Sequence, residues 1–119
     1  MKTVTAYASA ARTATPTAAS VPAGRYNYLR VVIDVTAITA TPSVVVTIDG
    51  LDPVSGKYWN LLTSAAITAT GTTVLTVGPG LPVTANVSAN QVLPDTLRIT
   101  MTHGDADSIT YTVAAHLMD

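Results

Sequence analysis

The chain has 119 residues, of which 48% are hydrophobic and only 11% are charged, with a net charge of −1 and no cysteine. This length suffices for one domain with its own core, and the near-neutral charge argues against a nucleic-acid-binding protein, which needs a basic surface. The absence of cysteine excludes a disulfide framework, a thiol nucleophile and a cysteine-ligated zinc site. No hydrophobic run approaches the length of a membrane-spanning helix, so no membrane partner is expected.

The composition favours an all-β protein whose surface is covered in an assembly. The sequence contains no Glu, and its only lysines are Lys2 and Lys57, whereas Thr and Val, which favour strands, are abundant. A weakly charged, apolar-leaning surface lowers the solubility of a free monomer. We therefore expect copies of the chain or a larger lattice to cover part of this surface. The alternative is a monomer with a Thr-rich outer shell.

Residues 1–24 are rich in Ala, Thr and Ser, contain Pro16, Pro22 and Gly24, and carry few bulky apolar side chains. Two interpretations stay open: an arm that becomes ordered only on a partner, or an edge strand of a sheet. The better strand candidate is Arg12–Thr15, because the following Pro16 is compatible with a sheet edge. The remaining residues, 25–119, are predicted to form a β-sandwich domain.

The stretch from Tyr26 to Gly50 contains two runs with the period of two that is typical of strands. In the first run one face is apolar and most polar side chains lie on the other; the apolar set is Leu29, Val31, Ile33, Val35 and Ala37. The pattern resumes at residues 44–48, after a break at Thr41 and Pro42. We expect the two runs to be neighbouring antiparallel strands joined by a short connection.

The next strand, predicted at Lys57–Leu62, carries the adjacent aromatic residues Tyr58 and Trp59. Adjacent side chains on a strand point to opposite faces, so one ring should lie in the core and the other at a surface or interface. The simpler expectation is that Trp59 is the core residue. If exposed, these rings, together with Tyr26 and Tyr28, could fill a partner's pocket or stack on a sugar.

The rest of the chain alternates between strands and turns. Thr72–Val77 is a predicted strand, and an irregular segment follows, with a short strand near Thr84–Val87. Thr96–His103 and Ser108–Leu117 alternate well, and Gly104–Asp107 between them is predicted to be a hairpin turn. About seven or eight closely spaced strands without a βαβ pattern predict an antiparallel β-sandwich or jelly roll.

Two acidic turns are the first candidates for chemistry: Asp49 with Asp52, and Asp105 with Asp107. Oxygen-rich loops at one end of a sandwich can bind calcium, which takes about six to eight oxygen ligands. The spacing matches no EF-hand loop, however, and aspartate is common in ordinary turns. Solvated turn residues are therefore expected rather than a metal site, and calcium binding is the alternative.

No constellation in the sequence is typical of an enzyme. His103 and His116 are the only histidines, and no Cys exists to join them. The chain has no Ser in a nucleophile elbow and no phosphate-binding glycine loop. We therefore expect neither catalysis nor a cofactor. Asp34 shares one face of its strand with Arg30, and Arg98 on another strand is a candidate neighbour on that face. A cross-strand pair is expected, and an inter-subunit salt bridge is the alternative.

The turn Asp52–Lys57 and the stretch His103–Tyr111 are the most distinctive parts of the sequence. They lie in the segments VVIDVTAITATPSVVVTIDGLDPVSGKYWNLLTSAAITATGTTVLTVGPGL and LPDTLRITMTHGDADSITYTVAAHL. From about Val31 to Leu117, the chain resembles a family of small tailed-phage proteins that occur among head and other virion structural genes. This resemblance implies a virion component.

Within virions, the size, the all-β body and the Ala/Thr/Pro-rich arm resemble capsid decoration (cement) proteins, which bind the shell at local symmetry axes, commonly as trimers. The resemblance therefore implies a homo-oligomer, with a trimer expected, that is made in the host cytoplasm and stabilises the capsid surface by binding the major capsid protein. The arm would add a strand to that protein or lie along it. The expected partner-binding residues are Thr13, Thr15, Pro16, Tyr26, Tyr28, Tyr58 and Trp59.

The alternative within the same resemblance is a phage tail or baseplate β-sandwich that contacts host glycan through Tyr58 or Trp59. A secreted carbohydrate-binding module is a third interpretation. A surface with little charge and no clear row of aromatic residues favours the shell protein over both.

Overall fold

The computed structural model describes residues 1–119 and contains nine strands and no helix. The strands are β1 (Lys2–Arg12), β2 (Ala19–Pro22), β3 (Tyr28–Ile38), β4 (Val44–Leu51), β5 (Tyr58–Thr63), β6 (Gly71–Gly78), β7 (Ser88–Asn90), β8 (Thr96–His103) and β9 (Ile109–Met118). They form a five-stranded sheet, β1-β9-β3-β6-β7, and a four-stranded sheet, β2-β8-β4-β5. The sheets enclose one core, so the predicted all-β sandwich is confirmed, with nine strands instead of seven or eight. The chain forms no helix of the length and apolarity needed to cross a membrane.

The period of two in the sequence decides which side chains enter the core. On β9 every second residue from Ile109 to Leu117 is buried, and on β8 the alternating residues Leu97, Ile99 and Met101 are fully buried. Each buried Val, Leu, Ile or Met side chain among them contributes about 1.5–3 kcal/mol through the hydrophobic effect. On β3 the pattern holds as far as Val35, but a bulge between Val35 and Ala37 shifts the register against β9, and Ala37 lies exposed, contrary to the prediction.

The connections from β3 to β4 and from β8 to β9 each cross from one sheet to the other, whereas the sequence predicts that each joins two strands paired with each other. β3 pairs with β6 and β9 in the five-stranded sheet, whereas β4 pairs with β5 and β8 in the four-stranded sheet. The Gly104–Asp107 turn likewise joins β8 to β9 across the sandwich and is not a hairpin. Both predictions are wrong because alternation specifies which face of a strand is buried, not which strand lies beside it.

Residues 1–24 contribute one edge strand to each sheet. β1 pairs with β9 along the edge of the five-stranded sheet, and β2 pairs with β8 at the edge of the four-stranded sheet. The strand predicted at Arg12–Thr15 is wrong, because β1 ends at Arg12 and residues 13–18 connect the two sheets. Tyr7 and Val21 enter the core from this region. The division of the chain at residue 24 stays a prediction.

The short strand predicted at Thr84–Val87 is also displaced. Residues 84–88 form a turn in which the Ser88 amide donates to the Thr84 carbonyl, and β7 follows at Ser88–Asn90. β7 runs parallel to β6, because the long loop after β6 carries the chain back before it pairs.

The strand register divides the loops between two ends of the sandwich. At one end, which we call the aromatic end, Tyr26, Tyr28, Tyr58 and Trp59 lie at the starts of β3 and β5. At this end the cross-strand partners are Leu51 with Tyr58, Gly50 with Leu97, Pro22 with Thr96 and Tyr28 with Met118. The opposite end holds the partners Val44 with His103 and Arg12 with Ile109.

Candidate functional site

Two of the four aromatic residues at the aromatic end are exposed and two are half-buried. Tyr26 packs against the core, and the Tyr28 ring covers Gly78 while its hydroxyl donates to the Pro79 carbonyl over 3.2 Å. Tyr58 and Trp59 keep 42% and 44% of their surface exposed. The prediction that Trp59 is a core residue is therefore wrong, because its face of β5 reaches the open end of the sandwich rather than the space between the sheets.

The indole of Trp59 lies against Gly50, and Pro94 lies close to the same glycine. A Cβ atom at Gly50 would lie 2.7 Å from Cζ2 of Trp59 and 2.8 Å from Cγ of Pro94, so only glycine allows the ring to lie this close to β4. Gly50 and Trp59 are directly opposite each other in the β4–β5 pair. The sheet therefore supports one side of the indole, and solvent reaches the other.

Tyr58 points to the other face of β5, onto the outer surface of the four-stranded sheet. The Arg98 guanidinium lies 3.6 Å from the centre of its ring, which is a cation–π arrangement. Arg98 also donates to the carboxylate of the buried Asp49 over 3.0 Å, and Asn60 donates to that carboxylate over 3.3 Å. Arg98 therefore pairs with Asp49 and not with Asp34, whose cross-strand partner on β6 is Thr72.

A cleft of about 510 Å³ opens beside Trp59. It is lined by Leu51, Asp52, Pro53, Trp59, Pro94, Asp95 and Thr96. Backbone hydrogen bonds fix the two loops that form the cleft. In the loop before β8, the Asp95 carbonyl accepts from the amides of Ala23 and Gly24, and in the loop after β4, the Asp52 amide donates to the Lys57 carbonyl. Of the lining residues, Trp59 and Asp52 are candidates in the sequence, but no local pattern predicts that the motifs Asp52-Pro53 and Pro94-Asp95 meet beside Trp59.

The predicted contact residues Thr13, Thr15 and Pro16 lie at the opposite end of the sandwich. The structure therefore does not bring them together with the aromatic residues. The Thr15 side chain is already engaged within the protein, because its Oγ1 accepts a hydrogen bond from the His103 amide over 2.9 Å. Nearby, the hydroxyl of Tyr7 lies 2.9 Å from the carbonyl oxygens of both Thr17 and Ile99.

Around Thr15 and Tyr7 a compact polar cluster fastens β1 to both sheets; we call it the clasp and define it as Tyr7, Arg12, Thr15, His103 and Tyr111. The Arg12 guanidinium lies 4.6 Å from the Tyr111 ring centre and 5.5 Å from that of Tyr7. It also donates to the carbonyls of Ala8, Ala10 and Tyr111, where β1 is bulged. The Tyr111 hydroxyl and His103 Nε2 are hydrogen-bonded over 3.0 Å.

Burial shifts the pKa values of two residues of the clasp, Tyr111 and His103. It raises the pKa of Tyr111 to about 12, although the positive charge of Arg12 acts in the opposite direction. Burial also lowers the pKa of His103, and here Arg12 adds to the effect while Asp105 opposes it. These groups therefore stay uncharged near neutral pH, and the clasp holds one ionised group, Arg12, in contact with two neutral tyrosines.

The two acidic turns lie at opposite ends of the sandwich, so they form no common site. The Asp52 carboxylate accepts from the Ser55 hydroxyl and the Val54 amide, and these bonds lower the pKa of Asp52. Asp105 accepts from the Asp107 amide, and Asp107 in turn accepts from the Thr41 amide. The carboxylates of Asp52, Asp105 and Asp107 are thus engaged in turn chemistry. Asp49 is not the solvated turn residue that the sequence predicts, because it lies within β4, is buried and pairs with Arg98.

Comparison of the chain with known protein families, with curated proteins and with solved structures gives no match.

Proposed function

We propose that this protein is a non-enzymatic shell protein of a tailed-phage virion, a capsid decoration protein that binds the major capsid protein. The strand orders β1-β9-β3-β6 and β2-β8-β4-β5 support a jelly roll, because this fold consists of two four-stranded sheets between which the chain crosses repeatedly. β7 is then an addition to the edge of one sheet. Viral capsid domains are among the proteins that use this architecture.

The observation that carries the proposal is the outer face of the five-stranded sheet. Thr5, Ala114, Val32 and Val74 lie side by side across β1, β9, β3 and β6, forming an apolar and small-residue row. Val74 is 41% exposed. The ionisable side chains of this face are Arg30, Asp34 and His116. Such a flat surface with few charges suits contact with another protein better than contact with water.

The size of this face supports attachment in many copies. Four strands at about 4.8 Å and about seven residues at about 3.3 Å give a surface of roughly 400 Å². A stable interface buries about 800 Å² on each partner, so one such contact is weak. Attachment as a homotrimer, with one contact per subunit, would combine three weak contacts into one firm attachment.

We propose the outer face of the five-stranded sheet, and not the N-terminal arm, as the surface that attaches to the shell. β1 is already paired with β9, and its two bulges, together with the Arg12 guanidinium on the Ala8 and Ala10 carbonyls, disfavour the addition of a further strand along its length. Binding would therefore use the side chains of the sheet rather than the main chain of an arm.

Cosedimentation with empty shells of the cognate major capsid protein tests the proposal. We expect saturable binding at a fixed ratio of this protein to the capsid protein. Val74→Asp should weaken it at least about tenfold, because binding would bury an unpaired carboxylate. Val54→Asp is the matched control, since Val54 is 94% exposed in the loop between β4 and β5. Absence of binding, or equal loss in both variants, would contradict the proposal.

A further inference from the structure

We propose that the cleft beside Trp59 binds a neutral hexopyranose, which stacks on the exposed side of the indole and whose hydroxyls donate hydrogen bonds to the carboxylates of Asp52 and Asp95. This site lies at the aromatic end, away from the row of Val32 and Val74. The inference is thus independent of the proposed attachment to a shell.

The presentation of Trp59 is the first observation that points to a sugar. A tryptophan with 44% of its surface exposed is unusual unless the ring contacts something. This ring cannot turn toward β4, because its inner side already lies against Gly50. A fixed, solvent-facing aromatic plane suits the flat face of a pyranose, where several axial C–H groups point in one direction, and binding would cost little conformational entropy.

The polar lining of the cleft is the second observation. Asp52, Asp95 and Thr96 line the same cleft as Trp59, so its polar residues include two carboxylates and a hydroxyl. A carboxylate has about four acceptor positions, and Asp52 uses two of them for Val54 and Ser55, which fix its orientation. Charge-assisted hydrogen bonds from vicinal sugar hydroxyls to such oxygens are stronger than neutral ones.

The charge of the lining decides the class of sugar. No Lys or Arg lines the cleft, so its two carboxylates would repel a uronic or sialic acid. A neutral hexose presents only hydroxyl donors and C–H groups and meets no such repulsion. The volume of about 510 Å³ lies within the range of about 300–1,000 Å³ that small-molecule sites occupy.

Trp59 is the only tryptophan of the chain, so its intrinsic fluorescence reports on the cleft alone. The probes are methyl β-D-glucopyranoside, methyl β-D-galactopyranoside and cellotetraose as neutral sugars, and glucuronic acid and sialyllactose as anionic ones. We expect a saturable change in emission with at least one neutral probe, at millimolar concentration for a single ring, and no change with the anionic probes. Lack of response to all neutral probes would overturn the inference, as would a saturable response to the anionic probes alone.

Calorimetric titration of variants with the neutral probe that binds identifies the contacts. Asp95→Asn should weaken binding about tenfold, the effect of losing one charge-assisted hydrogen bond, and Trp59→Ala should abolish it. Tyr58→Ala is the matched control, because it removes the neighbouring ring from the outer face and should leave binding unchanged. Equal affinity of the Trp59→Ala and Tyr58→Ala variants would overturn the inference.

The same titration separates this inference from the proposed function. The Val74→Asp variant, which should lose shell binding, should bind the neutral sugar as the unaltered protein does. If the unaltered protein binds sugar but no shell, the sugar site stands and the shell proposal is overturned. If it binds shells but no neutral sugar, the shell proposal stands and the sugar site is overturned.

Discussion

The two ends of this sandwich use aromatic side chains in opposite ways. In the clasp, the hydroxyls of Tyr7 and Tyr111 are bonded inside the protein and both rings are buried around Arg12. At the aromatic end, the rings of Tyr58 and Trp59 lie on Arg98 and Gly50 and face solvent. The clasp therefore stabilises the fold, whereas the aromatic end has side chains free to meet a ligand.

The largest expected effect comes from removing the strand that the clasp fastens. Deletion of residues 1–20 removes β1, Tyr7 and half of β2, and it leaves the long strand β9 as an unprotected edge. We expect a loss of more than about 5 kcal/mol, which is enough to unfold a small domain. Circular dichroism and thermal melting measure it.

Deletion of residues 1–3, which precede the bulges and Tyr7, is the control and should leave a folded protein. If the protein lacking residues 1–20 melts cooperatively near the temperature of the full chain, β1 is a dispensable arm and the distinction between the two ends fails.

Tyr7→Phe removes one hydroxyl from the clasp and keeps the ring. The carbonyls of Thr17 and Ile99 and the Ala19 amide would lose their partner, and the expected cost is about 2 kcal/mol in the free energy of unfolding. Urea denaturation measures the change. Tyr28→Phe, which loses one half-buried bond to Pro79 at the aromatic end, should cost less than half as much; a larger effect there would reverse the comparison.

Gly50→Ala tests the aromatic end. The new methyl group would push the indole of Trp59 outward, and we expect a cost of about 1 kcal/mol, at the low end for overpacking because an exposed ring can move. The tryptophan emission should shift to the red. Gly104→Ala, where the nearest atom lies 3.5 Å from the added Cβ, is the control and should change neither quantity. An unshifted emission spectrum in Gly50→Ala would show that the sheet does not hold the ring.

The smallest effect concerns pH. Burial and Arg12 lower the pKa of His103 in the folded protein, so below about pH 6.5 the unfolded chain binds a proton more readily than the folded one. The stability from the neutral ring is present above that pH and is lost as the pH falls through the lower pKa of the folded state. Thermal melting between pH 7.5 and 5 should show a decline in the His116→Gln variant, whose only histidine is His103, that is smaller once His103→Gln is added. Parallel declines would show that His103 is not held neutral by the clasp.

The sequence predicted the elements of this fold well and their neighbours poorly. Inward residues such as Leu97 and Leu117 follow from alternation, because burial acts on each strand separately. The partner of a strand depends on contacts across the whole chain. The connections after β3 and β8 therefore look like hairpins in the sequence although each crosses the sandwich.

The candidate site divides in a similar way. Trp59 and Tyr58 were identified by residue type, but the sequence favoured burial for Trp59, since large rings are usually inside. Its position depends on Gly50 on β4, which lies opposite Trp59 only in the folded chain. Tyr7 and Arg12 lie in an Ala- and Thr-rich segment with no periodic pattern, so no local signal marked them as a structural cluster.

The pairing of β1 with β9 has a consequence for synthesis on the ribosome. Lys2 lies opposite Leu117 and Arg12 opposite Ile109, so the first strand made has to wait for the last before it can pair. Such non-local pairing gives a high contact order and slow folding. The nascent segment that contains β1 is poor in large apolar residues and carries the basic side chains Lys2 and Arg12, which keeps it from aggregating while the rest of the polypeptide emerges.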